Sequence, residues 1–271
     1  MEELKKVIPE PIELDEIKPP KKSWIVNILK RVQKYSSYTF LGFYSIHSMS
    51  VVISPSFLPM SLNGEIFEIS RAIYSSIEPI IFGSVAAHIL SGMALRFLKP
   101  RKRTKKVYEN SEETGLGGIT SLVGLGVRKS WISKITNNYL TPLSFSGYSL
   151  IPLLAIHFFK FKVAPTEIDG DSTLVSLSYI STVLNHSLVK FGPYLNFVLL
   201  SALVYNSSYH IMSGMLKFNG YYSKKSKKIG YGIISGFTLM GIISLIRFKY
   251  WKFDDAYLLG KYLKYIEWSR L

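Results

Sequence analysis

Cysteine is absent from this chain of 271 residues. Disulfides, zinc–thiolate centres and thiol catalysis are therefore excluded, and the redox compartment is left open. Acidic residues are scarce, 18 against 33 basic ones. None of them falls in five long charge-free stretches, at 35–63, 79–95, 135–159, 191–216 and 229–246. Without carboxylates there, a carboxylate proton relay or di-metal centre inside these stretches is excluded. The glycine-rich run 115–126 is followed by no Gly-Lys-Ser/Thr and no suitably spaced acid, so it is neither a phosphate loop nor a dinucleotide fingerprint. No nucleophile, base and orienter stand together, and a turnover enzyme is not expected.

What is present is apolar length. A helix needs about 20 mainly apolar residues to cross a bilayer core. The five stretches predict transmembrane helices at about 35–60, 79–96, 137–160, 191–216 and 229–248. The expected fold class is all-α, a polytopic membrane bundle of five transmembrane helices with an internal two-helix repeat. Residues 1–34 read as a polar, proline-containing tail with a basic lead-in, 35–250 as the bundle, and 251–271 as an interfacial C-terminal helix. In the fifth span Gly232 and Gly236 have the small-residue spacing that lets helices approach closely.

The formal net charge of +15 is unevenly distributed. The segments 18–34, 96–134 and 217–228 are strongly basic, whereas the loops after the first and third spans carry Glu65, Glu68, Glu78, Glu167, Asp169 and Asp171. Positive charge thus alternates with the spans, which sets the N-terminus and the second and fourth loops on the cytosolic side. Lys99, Arg101, Lys102, Arg103, Lys224 and Lys225 are the candidates for phospholipid headgroup contact, since each basic residue near an anionic surface is worth about 1 kcal/mol. Nucleic acid is not the expected partner.

One hexapeptide occurs twice, as His88-Ile89-Leu90-Ser91-Gly92-Met93 and as His210-Ile211-Met212-Ser213-Gly214-Met215. An ionisable residue in a membrane-length stretch is expensive, and its repetition marks a functional position. Ser84, His88 and Ser91 share one helix face, as do Asn206, His210 and Ser213. Gly92 and Gly214 each leave a notch one turn beyond a histidine. A haem could lie there with His88 and His210 as axial ligands to its iron, and His47 and His157 are further candidates. The competing readings are interhelical hydrogen bonding, worth around 0.6 kcal/mol on average, and a polar groove for lipid headgroups.

The order of several motifs resembles a known family. They are the tail Val7-Ile8-Pro9-Glu10-Pro11-Ile12-Glu13, the two His-Ile-x-Ser-Gly-Met copies, Gly115-Leu116-Gly117-Gly118-Ile119, and the third-span run Ser146-Gly147-Tyr148-Ser149-Leu150-Ile151-Pro152. Together they are similar to the fungal mitochondrial outer-membrane family that compensates for loss of the Mdm-ten subunit of the ER–mitochondria tether. The resemblance implies an outer-membrane adaptor that recruits a bridge-like, vacuolar-sorting-type lipid-transfer protein through a cytosolic Pro-x-Pro motif. The matching residues are Val7, Ile8, Pro9 and Pro11. A proline-restricted extended peptide docks at reduced ordering cost. The resemblance also implies scrambling of phospholipids between leaflets. The core further resembles the membrane-anchor subunits of succinate dehydrogenase and fumarate reductase, which would favour haem b.

Overall fold

The computed structural model describes residues 24–98, 141–252 and 254–269, and all the regular structure among them is helical. Helix α1 (Trp24–Ser48) runs into a π-helical turn (Met49–Ile53) and a short α2 (Ser54–Phe57). Helix α3 (Met60–Ser75) then leads to α4 (Glu78–Leu98). Helix α5 (Pro142–Phe158) likewise enters a π-helical turn (Phe159–Val163) and a short α6 (Ala164–Asp169), followed by α7 (Leu177–Asn185). The chain closes with α8 (Gly192–Phe218), α9 (Lys224–Tyr250) and α10 (Ala256–Ser269).

Local chemistry sets these boundaries. Thr141, Ser176 and Ser223 cap α5, α7 and α9 by accepting main-chain N–H bonds from Ser144, Ser178 and Ser226. Gly170 ends α6 at φ 84°, a left-handed conformation that glycine adopts without steric cost. The two π-helical turns share one cause. Pro55 and Pro165 each lack an N–H and crowd the carbonyl four residues upstream, so the helix widens before them.

Three helical segments are both long and apolar enough to cross a membrane, namely Glu78–Leu98, Pro142–Asp169 and Lys224–Tyr250. The fourth expected span coincides with α8, a continuous helix of 27 residues, whereas the first, 35–60, falls on the second half of α1, the π-helical turn and α2. Both are more polar: α1 carries Lys30, Arg31 and Lys34, and α8 contains the run Asn206-Ser207-Ser208-Tyr209-His210. Leu90, Val198 and Leu239 stay 65, 59 and 59 % exposed, as expected for apolar faces solvated by lipid rather than by protein.

Helix α1 packs along α4, while α8 lies between α5 and α9. The tightly buried core sits at one end, where α6, α7 and α10 close over the bundle. There Tyr179, Tyr262 and Tyr265 are fully buried beside Ala164, Val175, Val183 and Ile266. A second cluster of Phe67, Leu177, Leu184, Leu245 and Phe248 joins α3 and α7 to the end of α9. The expected C-terminal helix therefore forms as α10 and packs onto this cap.

One packing expectation is corrected. A Cβ at Gly232 or Gly236 would meet nothing within 4 Å, so this pair does not mediate the helix contact. The close approach is at Gly241, where a Cβ would lie 2.6 Å from Val204 Cγ1 on α8. Helix periodicity turns Gly232 and Gly236 to a face that α8 does not touch.

Candidate functional site

The α1–α4 pair and the α5–α8–α9 group meet along a seam crossed mainly by side chains. Two histidine pairs span it. His88 on α4 faces His210 on α8 with ring centroids 6.1 Å apart and planes at 88°. His47 on α1 faces His157 on α5 with centroids 6.1 Å apart and planes at 71°.

Hydrogen bonds anchor both rings of the first pair and set the tautomer of His88. His88 Nδ1 lies 3.0 Å from the main-chain carbonyl of Gln33, which can only accept, so Nδ1 carries the proton. His210 Nδ1 lies 3.0 Å from Ser146 Oγ, which also lies 2.8 Å from the Leu143 carbonyl. On His88 the proton at Nδ1 leaves Nε2 with a lone pair, the state in which imidazole binds a metal while its other nitrogen is anchored.

The remaining predicted residues divide sharply. Ser84 and Ser91 are buried, but their hydroxyls bond back to the Ile81 and His88 carbonyls of their own helix. Asn206 instead crosses to α5, donating to Ser149 Oγ at 2.6 Å and the Ser146 carbonyl at 3.3 Å. Ser213 lies near the Tyr209 hydroxyl of its own helix. Around Gly214 a Cβ would meet nothing within 4 Å. The Gly92 position is occupied differently, with a Cβ there meeting Gln33 Nε2 at 2.9 Å.

A metal–imidazole bond is about 2.0–2.1 Å, and each ring adds roughly 1 Å from nitrogen to centroid, so two rings sharing one metal sit about 6 Å apart. The His88–His210 spacing is compatible with two imidazoles on one haem iron. Gln33 would have to move aside at Gly92. Among the described residues no group of three or more His, Asp or Glu side chains could hold a metal ion. Any metal at this seam must bring other donors with it or be content with two.

Lys224 and Lys225 are exposed in the first turn of α9, joined by Lys227 and Lys228. The partial positive charge of the helix N-terminus repels lysines, so this end is built to meet anions or to stand in water. Val7, Ile8, Pro9 and Pro11 lie outside the described residues, as do Lys99, Arg101, Lys102 and Arg103.

Sequence reasoning missed several groups. Gln33 and Ser146 orient the histidines, and Gly147 makes room for His210, since a Cβ there would approach the ring's Cε1 to 2.9 Å. The only sequence signal was that Ser146-Gly147 echoes Ser91-Gly92 and Ser213-Gly214. Lys160 is 5 % exposed and donates to Asn196 Oδ1 at 2.5 Å. Arg247 donates to the main-chain carbonyls of Pro55 at 2.5 Å and Leu58 at 2.7 Å, satisfying acceptors at the end of α2.

Comparison with known proteins gives two findings. Residues 152–253 match the family described as MDM10-complementing protein 1, transmembrane domain. The chain is also similar to the mitochondrial adapter protein MCP1 of Saccharomyces cerevisiae, with 26 % identity over 220 residues, covering 79 % of this chain and 72 % of the relative. No solved structure matches significantly.

Proposed function

Because residues 152–253 match the MDM10-complementing protein 1 transmembrane family and the chain is similar to the yeast adapter, we propose that it is a member of that family, a mitochondrial membrane adaptor that couples a lipid-transfer partner to a lipid-handling bundle. In this reading the protein crosses the outer membrane five times with its N-terminus in the cytosol. The tail residues Val7, Ile8, Pro9 and Pro11 capture a bridge-like, vacuolar-sorting-type lipid-transfer protein. Lys99, Arg101, Lys102, Arg103, Lys224 and Lys225 gather phospholipid headgroups beside it, and the bundle equalises lipid between leaflets after one-sided delivery.

The observation that carries the reading is an asymmetry between the ends of the bundle. One end is sealed by α6, α7 and α10 over a tyrosine-rich core. The start of α1, the end of α4, the start of α5 and the α8–α9 hairpin share the opposite end, with the basic segments attached to it. An adaptor needs its recruiting tail and its headgroup-binding charge on one side, and the helix ends gathered there support that reading.

The experiment is co-purification of the lipid-transfer protein with full-length chain and with a Pro9→Ala, Pro11→Ala variant. Recruitment should be lost while membrane insertion is kept. Undiminished recruitment by the inserted variant would sink the assignment. Lipid scrambling is tested separately, in vesicles containing the purified chain and a fluorescent lipid quenched from outside. Protection of half the label, as in empty vesicles, would remove scrambling from the proposal.

The second reading is a b-type cytochrome-like protein with haem between His88 and His210. The 6.1 Å separation of the two rings favours it. Its test is the reduced-minus-oxidised visible spectrum of the purified protein, supplied with haem, beside a His88→Ala, His210→Ala variant. Loss of a haem signal in the variant is expected, and a colourless wild type would exclude this reading.

A further inference from the structure

We propose that the cleft between the α7–α8 turn and α10 binds one phospholipid with a primary-amine headgroup. His186, Ser187 and Lys190 hold its phosphate, and Glu267 holds its ammonium. The proposal rests on the bundle spanning a membrane, but not on partner recruitment, lipid scrambling or haem binding.

The first argument is the chemistry of the cleft. Its volume is about 320 Å³, within the range of about 300–1,000 Å³ typical of small-molecule sites. The turn 186–191, which carries the chain from α7 into α8, forms one wall, and Leu263, Ile266 and Glu267 of α10 form the other. The turn is built to present polar groups. Ser187 Oγ accepts the Val189 main-chain N–H at 3.3 Å, which leaves its hydroxyl hydrogen for another acceptor. Gly192, the first residue of α8, makes room for it, since a Cβ there would overlap the Ser187 hydroxyl. Lys190 adds three N–H donors, and the His186 imidazole has an N–H in either protonation state. These are the donors that a phosphate diester requires.

The second argument is charge. Lys190 and Glu267 line the same cleft. Among the described residues neither forms an ion pair, with the other or with a third group. Opposite charges held apart across one cleft complement a zwitterion, whose phosphate and ammonium are themselves separated by a short linker. A headgroup of net negative charge would instead meet the Glu267 carboxylate. The walls also select the kind of ammonium. A primary ammonium donates hydrogen bonds that a carboxylate accepts, whereas a quaternary one has none to give and is recognised by aromatic cages. Among the described residues no Phe, Tyr or Trp lines the cleft.

The third argument is depth. The fourth charge-free stretch begins at Phe191, so the turn lies where the chain enters the bilayer. Exposed Tyr194, with the Lys249 ammonium 4.6 Å from its ring, and exposed Trp268 stand near it, as aromatic residues do at headgroup level. Leu188 and Val189 keep the rim apolar and exposed. From there Phe191, Leu195 and Val198, spaced i, i+4 and i+7, form an exposed apolar strip along α8. Acyl chains can lie on that strip while the headgroup fills the cleft. The site stands at the capped end, opposite the basic segments, so its lipid belongs to the leaflet that those segments do not face.

The test is a lipid competition. Full-length protein in mild detergent is given equimolar dioleoyl phosphatidylethanolamine, phosphatidylcholine and phosphatidylglycerol, and bound lipid is counted by native mass spectrometry. The wild type should hold one phosphatidylethanolamine with about twofold to fivefold preference, the worth of one part-exposed ion pair. Glu267→Gln should level phosphatidylethanolamine and phosphatidylcholine, and Lys190→Gln should lower retention of both. All these side chains are exposed, so the variants keep the fold; Lys264→Gln, exposed on α10 outside the cleft, should change nothing. Equal retention of the three lipids by the wild type, a preference for phosphatidylglycerol, or an undiminished preference in Glu267→Gln overturns the proposal. Carbonate extraction of membranes separates it from the membrane reading. A chain that resists extraction yet shows no preference overturns the site alone, and a chain that is released overturns both.

Discussion

Gly147 lies against the imidazole of His210: a Cβ at position 147 would come within 2.9 Å of the ring's Cε1 and 3.4 Å of its Nδ1. The glycine on α5 therefore sets where a histidine on α8 stands, and with it the Ser146–His210 hydrogen bond. Gly147→Ala should push the ring from Ser146 and cost about 1–3 kcal/mol by overpacking. Gly214→Ala meets open space, and should instead gain up to about 1 kcal/mol of helix propensity. Unfolding of both variants in detergent checks the contrast. Equal stability of the two would show that the ring yields freely.

Small residues on α9 give a second contrast. Gly241→Ala brings a methyl to 2.6 Å from Val204 Cγ1, where the helix backbone leaves little slack. A loss of about 1–3 kcal/mol is expected. Gly232→Ala and Gly236→Ala touch nothing and should be neutral or stabilising by about 0.5–1 kcal/mol each. Crosslinking between α8 and α9 through introduced cysteine pairs should weaken in the first variant only.

Arg247 joins α9 to the end of the first span. Arg247→Leu leaves the Pro55 carbonyl without this donor, while the Leu58 carbonyl still accepts from Asn63 Nδ2 at 3.2 Å. One lost acceptor predicts a cost of about 1–3 kcal/mol rather than twice that. Hydrogen exchange should rise around α2 and α3. Unchanged protection there would mean that water replaces the guanidinium at no cost.

Acid should loosen the cap before the bundle. Asp169 accepts from Lys261 and Tyr265 on α10, and these hydrogen bonds hold its carboxyl below the usual carboxylate range. A depressed carboxyl pKa contributes stability that is present above its unfolded value and lost as pH falls through its folded value. The Lys261 amine is raised by the same contact, so its contribution is lost only at alkaline pH. Limited proteolysis should release α10 as pH drops below the ordinary carboxylate range, and Asp169→Asn should abolish that acid dependence. Acid release that persists in the Asn variant would assign it to another group.

Much of this protein follows from chain chemistry alone. Charge-free runs of membrane length specify helices because an unpaired backbone group in hydrocarbon is too costly for anything else. The repeated His-Ile-x-Ser-Gly-Met marked two histidines, and simple helix periodicity put Asn206 and His210 on one face. The fully buried cap was less legible. Tyr262 and Tyr265 read as amphipathic spacing, yet their burial depends on Ala164, Val175 and Tyr179, nearly a hundred residues away.

The sequence by itself determined the helices, their apolar faces and the uneven distribution of charge among the segments between them, because each depends on composition within one segment. Only the tertiary structure decided which histidine faces which, that Gln33 and Ser146 orient them, and that Gly241 rather than Gly232 admits a neighbour. Those facts depend on helix rotation and offset, which are set by the summed packing of several helices and are encoded in no single stretch of residues.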